Sequence, residues 1–227
     1  LFVLGLVVLI FGIFNKNAVS VVSPLGQGVG GDKIYRANDW FPKLDEYPQS
    51  NVDVSAESAI LVDYDSGEVI FAKGAKDRMP VASTVKIMTA LVALERKKLM
   101  DEFTVSKGAT EVGEDTMGLS EGEVLRFGDL MYGLLLPSGN DVAVTIAEGV
   151  DGTEDMFVVS MNKKAESLGL VDTKFINASG LDVDGERQYS TAFDLATIAR
   201  FTWENHKEFR RVSETDYKFI EATNTHK

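Results

Sequence analysis

The apolar positions divide the chain into three parts. Residues 1–20 open with the segment Leu1–Phe14, in which every residue is apolar or glycine. As a helix this segment would be about 21 Å long, which is short of the roughly 30 Å hydrocarbon core of a bilayer. Because it has no polar face, it predicts a membrane anchor or signal segment, truncated at its start and either cleaved or retained, better than a buried core helix. Residues 21–53 carry repeated Pro and Gly without a regular period, which is typical of a linker.

From residue 54 the pattern becomes regular and predicts a folded domain that extends to residue 227. Two apolar runs flank the sequence Asp65-Ser66-Gly67, which favours a β-hairpin because Gly67 can adopt a positive φ. Apolar residues at helical spacing follow. The predicted strands are Ala59–Tyr64, Glu68–Ala72 and Tyr217–Ala222, and the predicted helices are Val85–Lys97, Leu125–Leu136, Asp141–Glu148, Thr153–Leu168 and Thr191–Glu204.

This order of elements predicts an α+β domain. Two strands come first, helices fill the middle, and one strand comes last, so an antiparallel sheet would join the two ends of the domain. We expect that sheet to be unfinished at Lys227.

Composition and charge narrow the chemistry. The chain has 23 Lys and Arg against 35 Asp and Glu, a formal net charge of −12, which disfavours nucleic acid as a partner. Cysteine is absent, so disulfides, thiolate catalysis and cysteine-rich metal sites are excluded. With only two histidines, neither a zinc site nor a histidine-based triad is expected, and no cofactor is predicted. Catalysis would have to use Ser, Lys, Asp, Glu, Asn and the backbone.

The first candidate pair is Ser83 and Lys86, at the start of a predicted apolar helix. Residues three apart on one helical turn share a face, so the lysine amine can reach the serine hydroxyl and act as its general base. Backbone N–H groups at the helix start can also face a developing oxyanion. The alternative interpretation is an N-cap serine followed by an exposed lysine. A second pair, Ser160 and Lys163, has the same spacing but lies in mid-helix, where a solvated polar face is expected.

The second candidate is Ser138-Gly139-Asn140, a polar tripeptide between two predicted apolar helices. Such a turn can project a hydroxyl and an amide into a cleft. The alternative is ordinary turn chemistry, with Asn140 or Asp141 capping the next helix. The combination of Ser-x-x-Lys with Ser-Gly-Asn is more specific than either part, because it is a paired signature of penicillin-recognising serine enzymes.

These motifs resemble the serine-type D-alanyl-D-alanine carboxypeptidases, the low-molecular-mass penicillin-binding proteins. The similar segments are Met79–Leu91, Leu134–Asp141, Ser179–Asp182 and Tyr189–Ala192. The resemblance implies a penicillin-binding/serine β-lactamase-like fold, in which helices and a helical subdomain flank an antiparallel sheet. By the same likeness Ser83 would be the acyl-ester nucleophile, Lys86 its proton acceptor, Ser138 a proton relay, and Asn140 the group that holds the substrate's peptide carbonyl.

The family removes the terminal D-alanine from peptidoglycan stem peptides at the outer face of the cytoplasmic membrane. The resemblance therefore implies stem peptides as substrate, β-lactam antibiotics as covalent inhibitors, and a location in the cell envelope, either membrane-anchored through the N-terminal segment or secreted. A β-lactamase-like hydrolase, an endopeptidase that acts on cross-links, and a non-catalytic wall-binding module remain as alternatives on the same scaffold.

The chain departs from the family pattern at three places. Val85 stands where the family usually has Thr, and Gln188 stands where a His is common. The family's third motif, Lys-Thr-Gly, occurs nowhere in the sequence, although Asn224-Thr225 resembles the stretch that precedes it. We interpret this as truncation before the missing motif and its C-terminal strands. Residues 1–227 expressed alone are therefore expected to be poorly soluble and inactive.

Other polar residues receive structural interpretations. Glu111, Glu114 and Asp115 lie in a Gly-rich segment and predict a solvated loop. His206 is expected on the surface of a helix. Asp172, Asp182 and Asp184 lack the spacing of a calcium-binding loop.

Overall fold

The structure, a computed structural model, describes residues 52–183 and 185–222. The strands are β1 (Ala59–Val62), β2 (Val69–Lys73), β3 (Glu102–Thr104) and β4 (Val124–Arg126), and the helices are α1 (Lys86–Arg96), α2 (Lys107–Thr110), α3 (Phe127–Leu135), α4 (Asn140–Asp151), α5 (Glu154–Ser167), α6 (Ala192–Asn205) and α7 (Lys207–Ser213). The predicted anchor, nearly all of the predicted linker, and Asn224-Thr225 lie outside the described residues. Within those residues, no helix combines the length and apolar character needed to cross a membrane.

The predicted front hairpin is confirmed. β1 and β2 pair antiparallel, with Ala59 opposite Lys73. The side chain of Asp63 accepts hydrogen bonds from the backbone N–H and the hydroxyl of Ser66, at 2.8 and 2.7 Å. Gly67 adopts a φ of 76°, the left-handed conformation that favours glycine. The Asp-Ser-Gly turn therefore sets the hairpin, as its composition predicts.

The core lies between the helices. α4 packs against α1, α2, α3 and α5, and its Val142 and Ile146 are fully buried together with Met88 and Leu91 of α1. All five predicted helices form, with ends that shift by no more than a few residues. The contact between α1 and α4 brings the start of α1 close to the start of α4, where the two candidate motifs lie.

A second small sheet and two short helices are missing from the sequence prediction. β3 and β4 pair antiparallel, with Phe103 opposite Leu125, so Val124–Arg126 is a strand and the predicted helix begins only at Phe127. Strands of three residues are too short to show an alternating pattern. The helices α2 and α7 are also short, and their apolar stripes are correspondingly weak.

The predicted late strand is wrong for the part that the structure describes. Residues 217–222 form no strand, and the side chains of Tyr217 and Phe219 are exposed. A strand requires a neighbour for its N–H and C=O groups, and within the described residues β1 and β2 pair only with each other. The expected sheet that joins both ends of the domain is therefore not formed by these residues.

His206 is also placed differently from the prediction. It separates α6 from α7 instead of lying within a helix, and it is half-buried. This burial lowers the pKa of His206 below its ordinary value.

Candidate active site

Ser83 and Lys86 lie together at the junction of a 3₁₀ turn, Ala82–Val85, and α1. Ser83 is exposed, whereas Lys86 is only 2% exposed. Lys86 Nζ is 3.2 Å from Ser83 Oγ, within hydrogen-bonding distance. The alternative of an N-cap serine with an exposed lysine is wrong, because this lysine points into the protein and Ser83 caps no helix.

Two oxygen acceptors hold the amine of Lys86 in addition to Ser83. Nζ donates to Asn140 Oδ1 at 2.7 Å and to the carbonyl oxygen of Ser179 at 2.8 Å. A neutral amine has two N–H donors and one lone pair. Because these two oxygens can only accept, they take both donors, and the lone pair is left facing Ser83 Oγ. This arrangement suits a base that removes the serine proton.

The surroundings of Lys86 favour the neutral form of its amine. Burial lowers the pKa of Lys86 to about 8, while the nearby charges of Asp115, Glu114 and Asp141 oppose that shift. A substantial fraction of the amine is therefore neutral slightly above neutral pH. A lysine with an ordinary pKa would be protonated almost completely under the same conditions.

Asn140 connects three elements of the site. Its Oδ1 accepts from Lys86, its Nδ2 donates to the carbonyl oxygen of Gly113 at 3.0 Å, and its backbone N–H donates to the carbonyl oxygen of Asp115 at 2.8 Å. The partners on both sides of the amide fix which atom is oxygen and which is nitrogen. One Nδ2 hydrogen remains for another acceptor, so the predicted contact with a substrate carbonyl stays a prediction.

Ser138 lies in the turn between α3 and α4. It is half-buried and has a φ of 61°, an uncommon conformation for a residue with a side chain. The next residue closes the turn, since the N–H of Gly139 donates to the carbonyl oxygen of Gly133 at 2.9 Å. Within the described residues the Ser138 hydroxyl makes no hydrogen bond, so its predicted role as a proton relay stays a prediction.

Sequence reasoning missed the function of Asp141, which it considered only as a helix cap. The buried Asp141 carboxylate accepts the backbone N–H groups of Met117, Gly118 and Leu119, at 2.9, 2.9 and 3.0 Å. It thereby fastens residues 111–120 to the start of α4, next to Asn140. Glu111, Glu114 and Asp115 are exposed in this segment, and their solvated-loop interpretation is confirmed.

Replacing Asp141 by asparagine is expected to destabilise the protein by about 2 kcal/mol, since one amide oxygen cannot serve all three N–H groups. Asp155→Asn is the matched control, because Asp155 lies in the first turn of α5 as Asp141 lies in that of α4, but Asp155 is exposed. The control should lose only about 0.5 kcal/mol, from the helix dipole. Denaturant unfolding measures both losses, and equal losses would contradict the assigned role of Asp141.

The turn at residues 179–181 is the second feature that sequence reasoning left without a role. Besides binding Lys86 through its Ser179 carbonyl, it lies directly against the backbone before the candidate nucleophile. Gly180 has a φ of 96°, and a Cβ there would be 2.1 Å from the carbonyl oxygen of Ala82 and 2.9 Å from the nitrogen of Ser83. Only glycine permits this approach. Thr89 in α1 strengthens the contact by donating to the carbonyl oxygen of Ala178 at 2.7 Å.

The second Ser-x-x-Lys pair has a different environment. Ser160 Oγ donates to Asp151 Oδ2 at 2.7 Å and accepts from Arg96 Nη1 at 3.0 Å, while Lys163 is exposed. The polar-surface interpretation of this pair is confirmed. Spacing alone therefore does not distinguish the two pairs, whereas burial of the lysine does.

Comparison with known proteins gives a consistent result. The sequence profile described as D-alanyl-D-alanine carboxypeptidase matches residues 45–226. The chain is 37% identical over 165 residues to the D-alanyl-D-alanine carboxypeptidase DacF of Bacillus subtilis, covering 70% of this chain and 42% of that protein. It spans about half or less of the curated relatives it matches.

Two solved structures extend the similarity to the fold. The D-alanyl-D-alanine carboxypeptidase of Mycobacterium tuberculosis matches with a TM-score of 0.73 and 34% identity, over 78% of this chain and 66% of that one. Penicillin-binding protein 6B of Escherichia coli matches with a TM-score of 0.67 and 35% identity, over 73% and 55%. The predicted α+β penicillin-binding fold is confirmed, and the chain belongs to the D-alanyl-D-alanine carboxypeptidase family.

Proposed function

We propose that this chain carries the nucleophile and the base of a serine-type D-Ala-D-Ala carboxypeptidase, which removes the terminal D-alanine from peptidoglycan stem peptides. The observation that carries the proposal is the environment of Lys86, whose amine is buried, has a lowered pKa, and meets two acceptors and the Ser83 hydroxyl. Family membership and the names of the relatives support the substrate class.

In the proposed reaction Lys86 takes the proton of Ser83 while Oγ forms a bond to the carbonyl carbon between the two terminal D-alanines. The carbon–nitrogen bond then breaks, and D-alanine leaves with a proton returned to its nitrogen through Ser138. The remaining stem peptide is held as an ester on Ser83 until water hydrolyses it and restores the hydroxyl. Asn140 would hold the peptide carbonyl next to the one that reacts, using its remaining Nδ2 hydrogen.

β-Lactam antibiotics are expected to acylate the same hydroxyl, because their amide is attacked in the same way. The proposed place of action is the outer side of the cytoplasmic membrane, in the cell envelope. The apolar segment Leu1–Phe14 supports either anchoring or secretion. Labelling of intact cells with a fluorescent penicillin that does not enter the cytoplasm tests this location.

Release of D-alanine from a D-Ala-D-Ala peptide by the full-length protein is expected to rise with pH and to level off above about 8. The reason is that only the neutral form of Lys86, whose pKa is lowered to about 8, can accept the serine proton. Asp115→Asn should move this rise to lower pH, because the charge of Asp115 raises the pKa of Lys86. D-alanine release measured across the pH range gives both results.

Glu121→Gln is the control for the shift expected in Asp115→Asn. Glu121 is an exposed carboxylate directly after the segment 111–120 that contains Asp115. It should leave the pH profile unchanged. A profile that does not respond to Asp115→Asn would contradict Lys86 as the titrating base. Rapid turnover of a penicillin without D-alanine release would favour the β-lactamase-like alternative, and absence of any acylation would favour a wall-binding module.

A further inference from the structure

The turn at residues 179–181 touches both reactive groups from outside α1. Its Ser179 carbonyl is one of the two acceptors that orient the amine of Lys86. Its Gly180 lies against the backbone of Ala82 and Ser83. A movement of this turn would therefore displace the candidate base and the candidate nucleophile together.

The side chain of Asn177 forms hydrogen bonds with two backbone groups of this turn. Asn177 Oδ1 accepts the backbone N–H of Gly180 at 2.7 Å, and Asn177 Nδ2 donates to the carbonyl oxygen of Leu181 at 2.7 Å. Asn177 is 8% exposed, so water does not compete strongly for these bonds. The amide thus connects the two residues that follow Ser179 and fixes the direction of the Ser179 carbonyl.

Gln188 binds both Asn177 and the turn. Its Nε2 donates to Asn177 Oδ1 at 3.2 Å and to the carbonyl oxygen of Leu181 at 3.1 Å. Gln188 is 6% exposed, and its Oε1 has no partner within the described residues. The buried side chain therefore leaves one acceptor unsatisfied while its donor serves the turn, which indicates that the donor is the part that matters.

We propose that Asn177 is a positioning residue for the reaction, acting through the turn at residues 179–181 on Lys86 and Ser83, with Gln188 as its support. The inference rests on the proposed function, because it assigns a consequence to the geometry of those two groups. Asn177 touches neither reacting atom. Its effect is to keep one acceptor of the amine in place, so that the lone pair of Lys86 faces the Ser83 hydroxyl.

Asn177→Ala in the full-length protein tests this role through the kinetics of acylation by a fluorescent penicillin. The variant is expected to lower the acylation rate constant by roughly 10²-fold, as displacements of reacting groups by about 1 Å do. The fraction finally labelled should stay complete, because every folded molecule still carries Ser83. A purely structural role would instead lower the labelled fraction and leave the rate constant of the folded molecules unchanged.

Asn162→Ala is the matched control. Asn162 binds the same segment of chain further from the site, donating to the carbonyl oxygen of Phe175 at 2.9 Å and accepting its N–H at 3.0 Å. It is expected to change the acylation rate constant by less than about twofold. A wild-type rate constant in Asn177→Ala, or an equal loss in Asn162→Ala, would overturn the proposal.

Gln188→Met provides a second variant that keeps the side-chain volume and removes the unpaired oxygen. It deletes both bonds to the turn, so the rate constant is expected to fall by roughly tenfold with full final labelling. A wild-type rate in this variant would remove Gln188 from the proposal. If the wild-type protein itself is not acylated, the proposed function fails; if it is acylated and only the Asn177 prediction fails, the proposed function stands.

Discussion

Replacement of Ser83 by alanine is expected to abolish covalent labelling of the full-length protein by a fluorescent penicillin. In the proposed reaction the hydroxyl supplies the oxygen of the ester, and within the described residues no other serine hydroxyl lies within hydrogen-bonding distance of a buried lysine amine. The fold should persist, because Ser83 is exposed and its side chain forms a hydrogen bond with Lys86 within the described residues. Loss of that bond should cost at most about 1 kcal/mol.

The control for this experiment is Ser160→Ala, which removes the serine of the second Ser-x-x-Lys pair. Its hydroxyl binds Asp151 and Arg96 on the surface, so labelling should proceed at the wild-type rate. Gel fluorescence after a fixed labelling time, with unfolding curves for both variants, measures the result. A Ser83→Ala protein that still forms the adduct at the wild-type rate would show that the nucleophile is another residue.

The sequence allowed the candidate nucleophile and base to be found because they are close together in it. Ser83 and Lys86 are three residues apart, and a helical turn is enough to bring them into contact. The two acceptors that orient the amine come from farther away, since Asn140 is 54 residues and Ser179 is 93 residues from Lys86. Only the fold places them there, although the motif of Asn140 was recognisable by its resemblance.

The roles of Asn177, Asp141 and Gly180 depend on contacts that no local sequence pattern contains. From the sequence Asp141 was considered only as a helix cap and Asn177 was given no role, and each acts through backbone groups that the fold brings to it. In the sequence Gly180 was noted only within the segment Ser179–Asp182, which resembles the family. Its real constraint is the close backbone of Ala82, 98 residues earlier in the sequence, which no local pattern contains.

The strands show a similar contrast. The front hairpin was predictable because an Asp-Ser-Gly turn lies between two apolar runs, so the signal and the contact are both local. β3 and β4 have three residues each, so neither shows an alternating pattern of apolar residues. They are also far apart in the sequence, because the loop that Asp141 fastens lies between them. The segment 217–222 has the aromatic and β-branched residues typical of a strand, but a strand also needs a neighbour, which composition does not provide.

The environment of Lys86 gives the second large prediction. Lys86→Arg keeps the positive charge but removes the neutral amine, because a guanidinium stays protonated. Its N–H groups can still satisfy Asn140 Oδ1 and the Ser179 carbonyl, yet no lone pair is left to take the proton of Ser83. Acylation by penicillin is expected to fall by roughly 10²–10⁴-fold, the range typical for loss of a general base.

Lys163→Arg is the matched control for that substitution, since Lys163 occupies the same place in the second pair and is exposed. It should acylate as the wild type does.

Lys86→Ala is a second variant, needed because a guanidinium is larger than an ammonium and could disturb the site by its size. The alanine leaves space that a small amine can enter. Added ethylamine should raise its acylation rate, and more strongly at higher pH, since the neutral amine is the active form. Near-normal acylation in Lys86→Arg would mean that a group other than Lys86 takes the serine proton, whereas a slow Lys86→Ala that ethylamine restores would identify the missing amine as the base.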